Sequence, residues 1–571
     1  MANTQYIPDI LAPDLIIKNG KVITVDSGFS FAEAVAVKDG KIVGVGTADE
    51  VEALRGAPTK TLDLKGKTLL PGINDAHLGI IIGITSLPPC SYDVGPANVS
   101  SIADMRAIVK DAVSKAKPGQ WINGGGWNQG TIKELMEDHD RGLCKADFDD
   151  ISPDNPLYLL EFSFHCGVAN SAALKAAGID RNTPDPVGGK IVRDADGEPT
   201  GLLLESANDL VSKIQPAYTY EEMRAIFEQN ITELTKYGVT SVTTANDRPH
   251  EIKFYSTLYR DYAKEGKPFP LRINVAMLWA ESPIGGSLEK IREAFKYVGT
   301  TTGFGSDFLK IAGVKVFADG IPPAKTAWSS RPYEDGTHGS LVLNGKNDAE
   351  KVEDLNKIVD IVHDYGCQLV LHTCGDLAVK EAVEAFARVQ EANPKDLRHY
   401  VVHGDWVLPE SMELMAKYGI PLATQAELLY YIGDDTIQRA GPEAAGEQWP
   451  LKTLLNKGVR FCNSSDWPCA LADWRQGVQT SITRKTRDGV VCGPHNALNI
   501  EEALRSYTVE PAWFDHMEDR KGSIEVGKLA DFVVIGEDIT QTDPEKIEDI
   551  PIHMTIVGGS VIYSDGALSM E

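Results

Sequence analysis

The chain has 571 residues, too many for one small core and enough for a barrel with further units beside it. Apolar residues make up 42% and charged residues 24%, an ordinary globular composition that excludes a disordered or fibrous protein. A formal net charge of -26, with acidic groups spread along the chain, repels nucleic-acid phosphates and anionic lipid, so neither a nucleic acid nor a membrane is an expected partner.

Met1 to Leu11 carries no basic stretch leading into an apolar core. No apolar run approaches the roughly 20 residues that span a bilayer, and the expected location is the cytoplasm. The eight cysteines form no CxxC pair and are sparse for this length, which points to free thiols in a reducing compartment.

From Asp14 to Leu70 the β-rich runs LIIKNGKVITV, AEAVAVKDGKIVGVG and TKTLDLKGKTLL alternate with turn signals. Asn19-Gly20 and Asp39-Gly40 stand where two-residue hairpin turns require positive φ. A similar set, GSIEVGKLADFVVIGED and HMTIVGGSVIYSDG, closes the chain. The expectation is one small β-sandwich assembled from residues 1–70 and 515–571.

Between them, over 71–514, the runs GVTSVTTA, LRINVAML, DFLKIAGVKVFADG, GCQLVLHT, YVVHGD, GIPLATQ and GVRFCNSSD alternate with amphipathic stretches such as EEMRAIFEQNITELTKYG and AVKEAVEAFARVQEA. That rhythm predicts parallel strands with crossover helices. Polar residues gather at the strands' C-terminal ends, which favours a closed (β/α)8 TIM barrel over an open sheet. The turn-rich stretch at about 89–217 breaks the rhythm and is read as a subdomain inserted after the first barrel strand, forming part of the pocket wall.

His77 ends the run TLLPGINDAHLG, where a strand opens into the barrel mouth. The segment Pro71-Gly72-Ile73-Asn74-Asp75-Ala76-His77-Leu78-Gly79 resembles the PGxIDxHxH pattern of the amidohydrolase superfamily, with Gly79 in place of the second histidine. Histidines two apart on a strand face the same way and can grip one metal, so this chain has half of that grip. The blocks GGGW (Gly124 to Trp127), NSAALKAAG (Asn170 to Gly178), GGKIVRDADGEPTGLLLE (Gly188 to Glu205) and GSIEVGKLAD (Gly522 to Asp531) extend the likeness over nearly the whole chain. It is nearest to the amidohydrolase 3 family, with its N-acyl and formamide hydrolases.

The resemblance implies a ligand set. Lys315, in GVKVFADG, corresponds to a barrel lysine that can be carboxylated; standing alone it would read as a lysine snorkelling at a strand end. His372 in QLVLHT and His403 in YVVHGD correspond to the two later histidine ligands, although a lone strand histidine is commonly a core residue. Asp466, in FCNSSDWP, corresponds to the final-strand aspartate that binds metal and takes a proton from the attacking water; its structural alternative is a helix N-cap. By this likeness one metal uses His77, Lys315 and Asp466, and a second uses Lys315, His372 and His403. The cofactor expected is thus a divalent metal, zinc, as one or two ions.

His165 is a second catalytic candidate, placed to hydrogen-bond a substrate carbonyl. Trp127, Lys325, Trp328, Gln425 and Trp467 are candidate pocket residues, and the aromatic ones suggest an apolar or aromatic small-molecule substrate. The functional expectation is hydrolysis of an amide-type C–N bond. Gly79 keeps open a non-hydrolytic isomerase, hydratase or decarboxylase, and a silent binding scaffold is the third reading. The sequence leaves a homodimer open.

Overall fold

Eight of the apolar, β-branched runs become eight parallel strands, each buried on both faces as a barrel lined by side chains and wrapped by helices requires. The computed structural model describes residues 9–138, 141–280 and 286–571; residues 1–8 of the N-terminal stretch lie outside it. The barrel strands are β1 (Ile73–Leu78), β2 (Val239–Asp247), β3 (Arg272–Leu278), β4 (Leu309–Phe317), β5 (Gln368–Thr373), β6 (Tyr400–His403), β7 (Leu422–Thr424) and β8 (Phe461–Asn463). They are hydrogen-bonded in sequence order. Just beyond the strand ends the ring closes, where Asp466 N–H donates to His77 O over 3.0 Å and Gly79 N–H to Trp467 O over 2.9 Å.

Helices such as Pro249–Glu265, Asp348–Tyr365 and Asp376–Ala392 cross between successive strands. The Asn347 side chain caps the second of these by accepting from Glu350 N–H. Among the described residues no helix is long and apolar enough to cross a membrane. All eight cysteines are unpaired thiols.

Both chain ends contribute to two sheets beside the barrel. A four-stranded sheet comes from the first segment alone, in the order Lys41–Gly46, Ala34–Lys38, Leu15–Lys18, Lys60–Asp63. A six-stranded sheet mixes the ends, in the order Ser560–Ser564, Ile552–Val557, Phe532–Ile535, Thr68–Pro71, Lys21–Ile23, Phe31–Ala32. Their inner faces share one core that includes Leu15, Val35, Leu69 and Phe532. Asp39-Gly40 makes the expected hairpin, with Lys38 opposite Lys41. Asn19-Gly20 does not. Asn19 has φ 61°, but the strands it joins lie in different sheets, so the turn is a crossover.

The stretch between β1 and β2, expected to be turn-rich, holds a six-stranded mixed sheet. Its order is Gly189–Arg193, Pro199–Glu205, Cys166–Ala169, Leu157–Glu161, Ile122–Trp127, Tyr92–Asp93.

The C-terminal segment also seals the bottom of the barrel. Asp515 pairs with Lys521 and accepts hydrogen bonds from Asn74 Nδ2 (2.9 Å), Thr243 Oγ1 (2.9 Å) and Asn274 Nδ2 (2.8 Å), one residue from each of β1, β2 and β3. Burial works against this carboxylate, yet Lys521 and Lys310 bring its pKa below the ordinary value. Asp531, in the block GSIEVGKLAD, binds Arg272 of β3 at 2.6 and 2.9 Å. The late block therefore has a structural role, locking the terminal sheet to the barrel.

Candidate metal centre and pocket

The C-terminal ends of the strands open into a cavity of about 310 Å³ between the barrel mouth and the inserted sheet. Its floor carries His77 at the end of β1, His372 near the end of β5, His403 closing β6, and Asp466 just after β8. Donor atoms of His77, His403 and Asp466 all lie within 4.8 Å of one another. His77 Nε2 is 3.5 Å from Asp466 Oδ1 and 3.4 Å from Lys315 Nζ. The His372 and His403 rings are 4.4 Å apart, centre to centre.

Burial dominates the electrostatics of this floor. It lowers the pKa of His77, His372 and His403 well below the usual histidine value, so the imidazoles are neutral and keep lone pairs for a metal. It also brings the fully buried Lys315 amine down to about 7. Asp466 is pushed up to about 6 by burial, against the opposing pull of Lys315. His77 Nδ1 is buried with no hydrogen-bond partner. A group of neutral imidazoles beside a carboxylate is the donor set a divalent cation takes, and the residues present fit such an ion.

The imidazole of His403 is oriented from behind. Its Nδ1 donates to Gln425 Oε1 over 2.8 Å, and Gln425 Nε2 donates to Ser464 Oγ over 2.9 Å, which fixes the tautomer with Nε2 free. His403 (φ 72°), Asp466 (φ 57°), Glu205 (φ 52°) and Phe164 (φ 67°) all adopt positive φ around the cavity. Each such residue costs roughly 1–3 kcal/mol, which the surrounding packing must offset. Asp466 caps no helix; the following helix, Trp474–Thr483, takes its N-cap from Asp473.

His165 hangs over the floor from the inserted sheet, its ring 5.3 Å from that of His372. Its Nδ1 lies 2.6 Å from Glu205 Oε2, both side chains being buried. Burial opposes protonation of the ring, but the Glu205 carboxylate holds its pKa above the ordinary value. Nothing local in GLLLE marks Glu205, because its contact spans forty residues. Asp405, two residues after His403, also lines the cavity, and burial pushes its carboxyl up to about 8.

Of the pocket residues expected from sequence, Trp467 lines the cavity and four do not. Trp127 is 3% exposed in the core of the inserted sheet, donating to Leu159 O. Lys325 turns to Glu334 and Asp335. Trp328 is partly buried against the main hydrophobic core. Gln425 sits behind His403 instead of facing substrate. Gly79 borders the cavity, but a Cβ built there would lie 2.4 Å from Ile82 Cγ2, so the space for a second histidine is filled by an apolar side chain.

A family model described as "Amidohydrolase family" matches residues 60–563. The chain is similar to Protein LONG AFTER FAR-RED 3 of Arabidopsis thaliana, 30% identical, over 97% of this chain and 92% of the relative. It is likewise similar to N-substituted formamide deformylase of Arthrobacter pascens, 29% identical, over 96% of this chain and 98% of the relative. Among solved structures, an uncharacterized metal-dependent hydrolase from Pyrococcus horikoshii OT3 shares the fold with a TM-score of 0.71 at 22% identity, over 93% of this chain and 99% of that one.

Proposed function

We propose that this chain, which belongs to the amidohydrolase family and is a hydrolytic enzyme, uses a divalent metal to cleave an amide-type C–N bond in a small substrate bearing an apolar or aromatic group. The bond is that of an N-acyl compound, a formamide or a cyclic amide, and zinc is the ion its nitrogen and oxygen donors suit.

The observation that carries this reading is the convergence of neutral imidazoles and the Asp466 carboxyl at one end of an apolar cavity. His77 and Asp466 would hold one ion, and His372 and His403 would hold a second. Lys315, as a buried and readily uncharged amine, can take up carbon dioxide as a carbamate and add oxygen donors between them. Bound there, a divalent ion supplies polarisation of the scissile carbonyl and makes the attacking water more acidic. Asp466 takes the proton from that water and returns it to the departing nitrogen. His165, whose pKa Glu205 raises against the effect of burial, donates to the carbonyl oxygen as negative charge grows on it. Ile82, Phe162, Phe164, Ile432 and Trp467 receive the substituent and exclude water.

The similarity to N-substituted formamide deformylase makes N-alkyl and N-aryl formamides the first substrates to try. Chelator-treated protein is expected to be inert toward a panel of formamides, N-acetyl analogues and cyclic amides, and to recover turnover when zinc is returned. His372→Ala and His403→Ala are expected to lose both bound metal and turnover. Full metal content in both variants, or turnover indifferent to chelation, would overturn the reading.

A further inference from the structure

A third donor meets His372 and His403 beneath the cavity. Cys374 follows His372 by two residues at the end of β5. Its Sγ is 3.6 Å from His372 Nε2, and the donor atoms of His372, Cys374 and His403 all lie within 4.8 Å of one another. Zinc–sulfur and zinc–nitrogen bonds of about 2.3 and 2.05 Å, at a tetrahedral angle, separate the two ligand atoms by about 3.6 Å. The spacing found lets both atoms bind one ion. The thiol is 3% exposed and borders the cavity, as a ligand at its floor should.

The turn carrying Cys374 is fixed by a buried carboxylate. Asp319, just after β4, accepts from Cys374 N–H, Gly375 N–H and Trp328 N–H, each at 2.9 Å. Gly375 has no room for a side chain, since a Cβ would stand 2.1 Å from Trp328 O. The sulfur is thereby held where it is by contacts that do not involve the imidazoles, the preorganisation a metal site requires.

We propose that Cys374 is a thiolate ligand which, with His372 and His403, completes a three-donor protein site for a thiophilic divalent ion. The inference rests on the metal-dependent reading above. As the Sγ–metal bond forms, the thiol proton leaves to solvent. A soft sulfur donor favours zinc or cobalt over magnesium or manganese.

Cobalt(II) loaded into the chelator-treated full-length protein tests this. The parent is expected to bind cobalt, counted by elemental analysis, and to show a sulfur-to-cobalt charge-transfer band in the near ultraviolet. Cys374→Ser should lose the band and bind cobalt about 10²-fold more weakly. Cys469→Ser, which alters the other thiol bordering the cavity, should keep the band. X-ray absorption of the zinc-loaded parent should show a sulfur neighbour at about 2.3 Å, and it decides the matter even where Cys374→Ser does not fold. Metal bound without a sulfur neighbour overturns the thiolate ligand and leaves the metal-dependent hydrolase standing. A sulfur signal that survives Cys374→Ser also overturns it. No bound metal overturns both.

Discussion

Asp466→Asn should make the metal-free protein more stable while depriving it of turnover. Burial raises the Asp466 carboxyl from 3.8 to about 6, a rise that Lys315 limits. A carboxyl with a higher pKa folded than unfolded destabilises the folded state once the pH exceeds the unfolded value, because the unfolded chain ionises it more easily. About two pKa units correspond to about 3 kcal/mol, fully developed above about pH 7. At pH 5, with the unfolded group ionised and the folded one mostly protonated, the penalty is about 1.5 kcal/mol, and it vanishes below about pH 4. Asparagine has nearly the same shape and no charge, so it should recover these amounts in urea unfolding of chelator-treated protein, more at pH 8 than at pH 5. With metal restored, turnover should fall by about two orders of magnitude or more, the loss typical of a proton-transfer group. A variant no more stable than the parent at pH 8 would refute the burial reasoning. Turnover within a few-fold of the parent would refute the proton-transfer role.

Glu205→Gln should let the pKa of His165 fall, since the carboxylate that most opposes burial is gone and only Glu161 and Asp466 still raise it, and lower kcat about 10- to 100-fold; an unshifted His165 titration by NMR would count against the pairing. Gly79→His should cost about 1–3 kcal/mol through its clash with Ile82 and add no metal, as elemental analysis and thermal melting would show, whereas a stable variant holding an extra ion would contradict the packing. Asp515→Asn should cost about 3–5 kcal/mol by leaving Lys521 buried without its partner, with activity per folded molecule retained; an unmoved denaturation midpoint would disprove the anchoring role.

The barrel was legible because each of its strands is buried on both faces and reads as a continuous apolar run, set off by helices of a different period. The floor of the site was legible through resemblance: His77, His372, His403 and Asp466 end their strands or follow them closely, and strand ends can be read from a sequence. Trp127, Lys325, Trp328 and Gln425 were placed in the pocket because they lie near these ends, but the direction a loop turns its side chain is a tertiary property. Glu205 left no local signal, since it acts across the inserted sheet on His165. The His372-x-Cys374 spacing did leave one, the same two-residue offset that makes an HxH pair, in a residue otherwise read only as a free thiol. Asn19-Gly20 was misjudged because the positive φ that suits a hairpin equally suits a crossover between sheets.

The strand Thr68–Pro71 leads directly into β1 and lies between Lys21–Ile23, made shortly before it, and Phe532–Ile535, made more than 450 residues later. On the ribosome its second edge therefore waits, unpaired and apolar, through the synthesis of the whole barrel. At about 5–20 residues per second that interval is roughly half a minute to a minute and a half. An open strand edge of this kind is a template for pairing with another chain. The same seam that ties the finished enzyme together is thus the last to close, and a chain ending before Phe532 would carry that edge permanently.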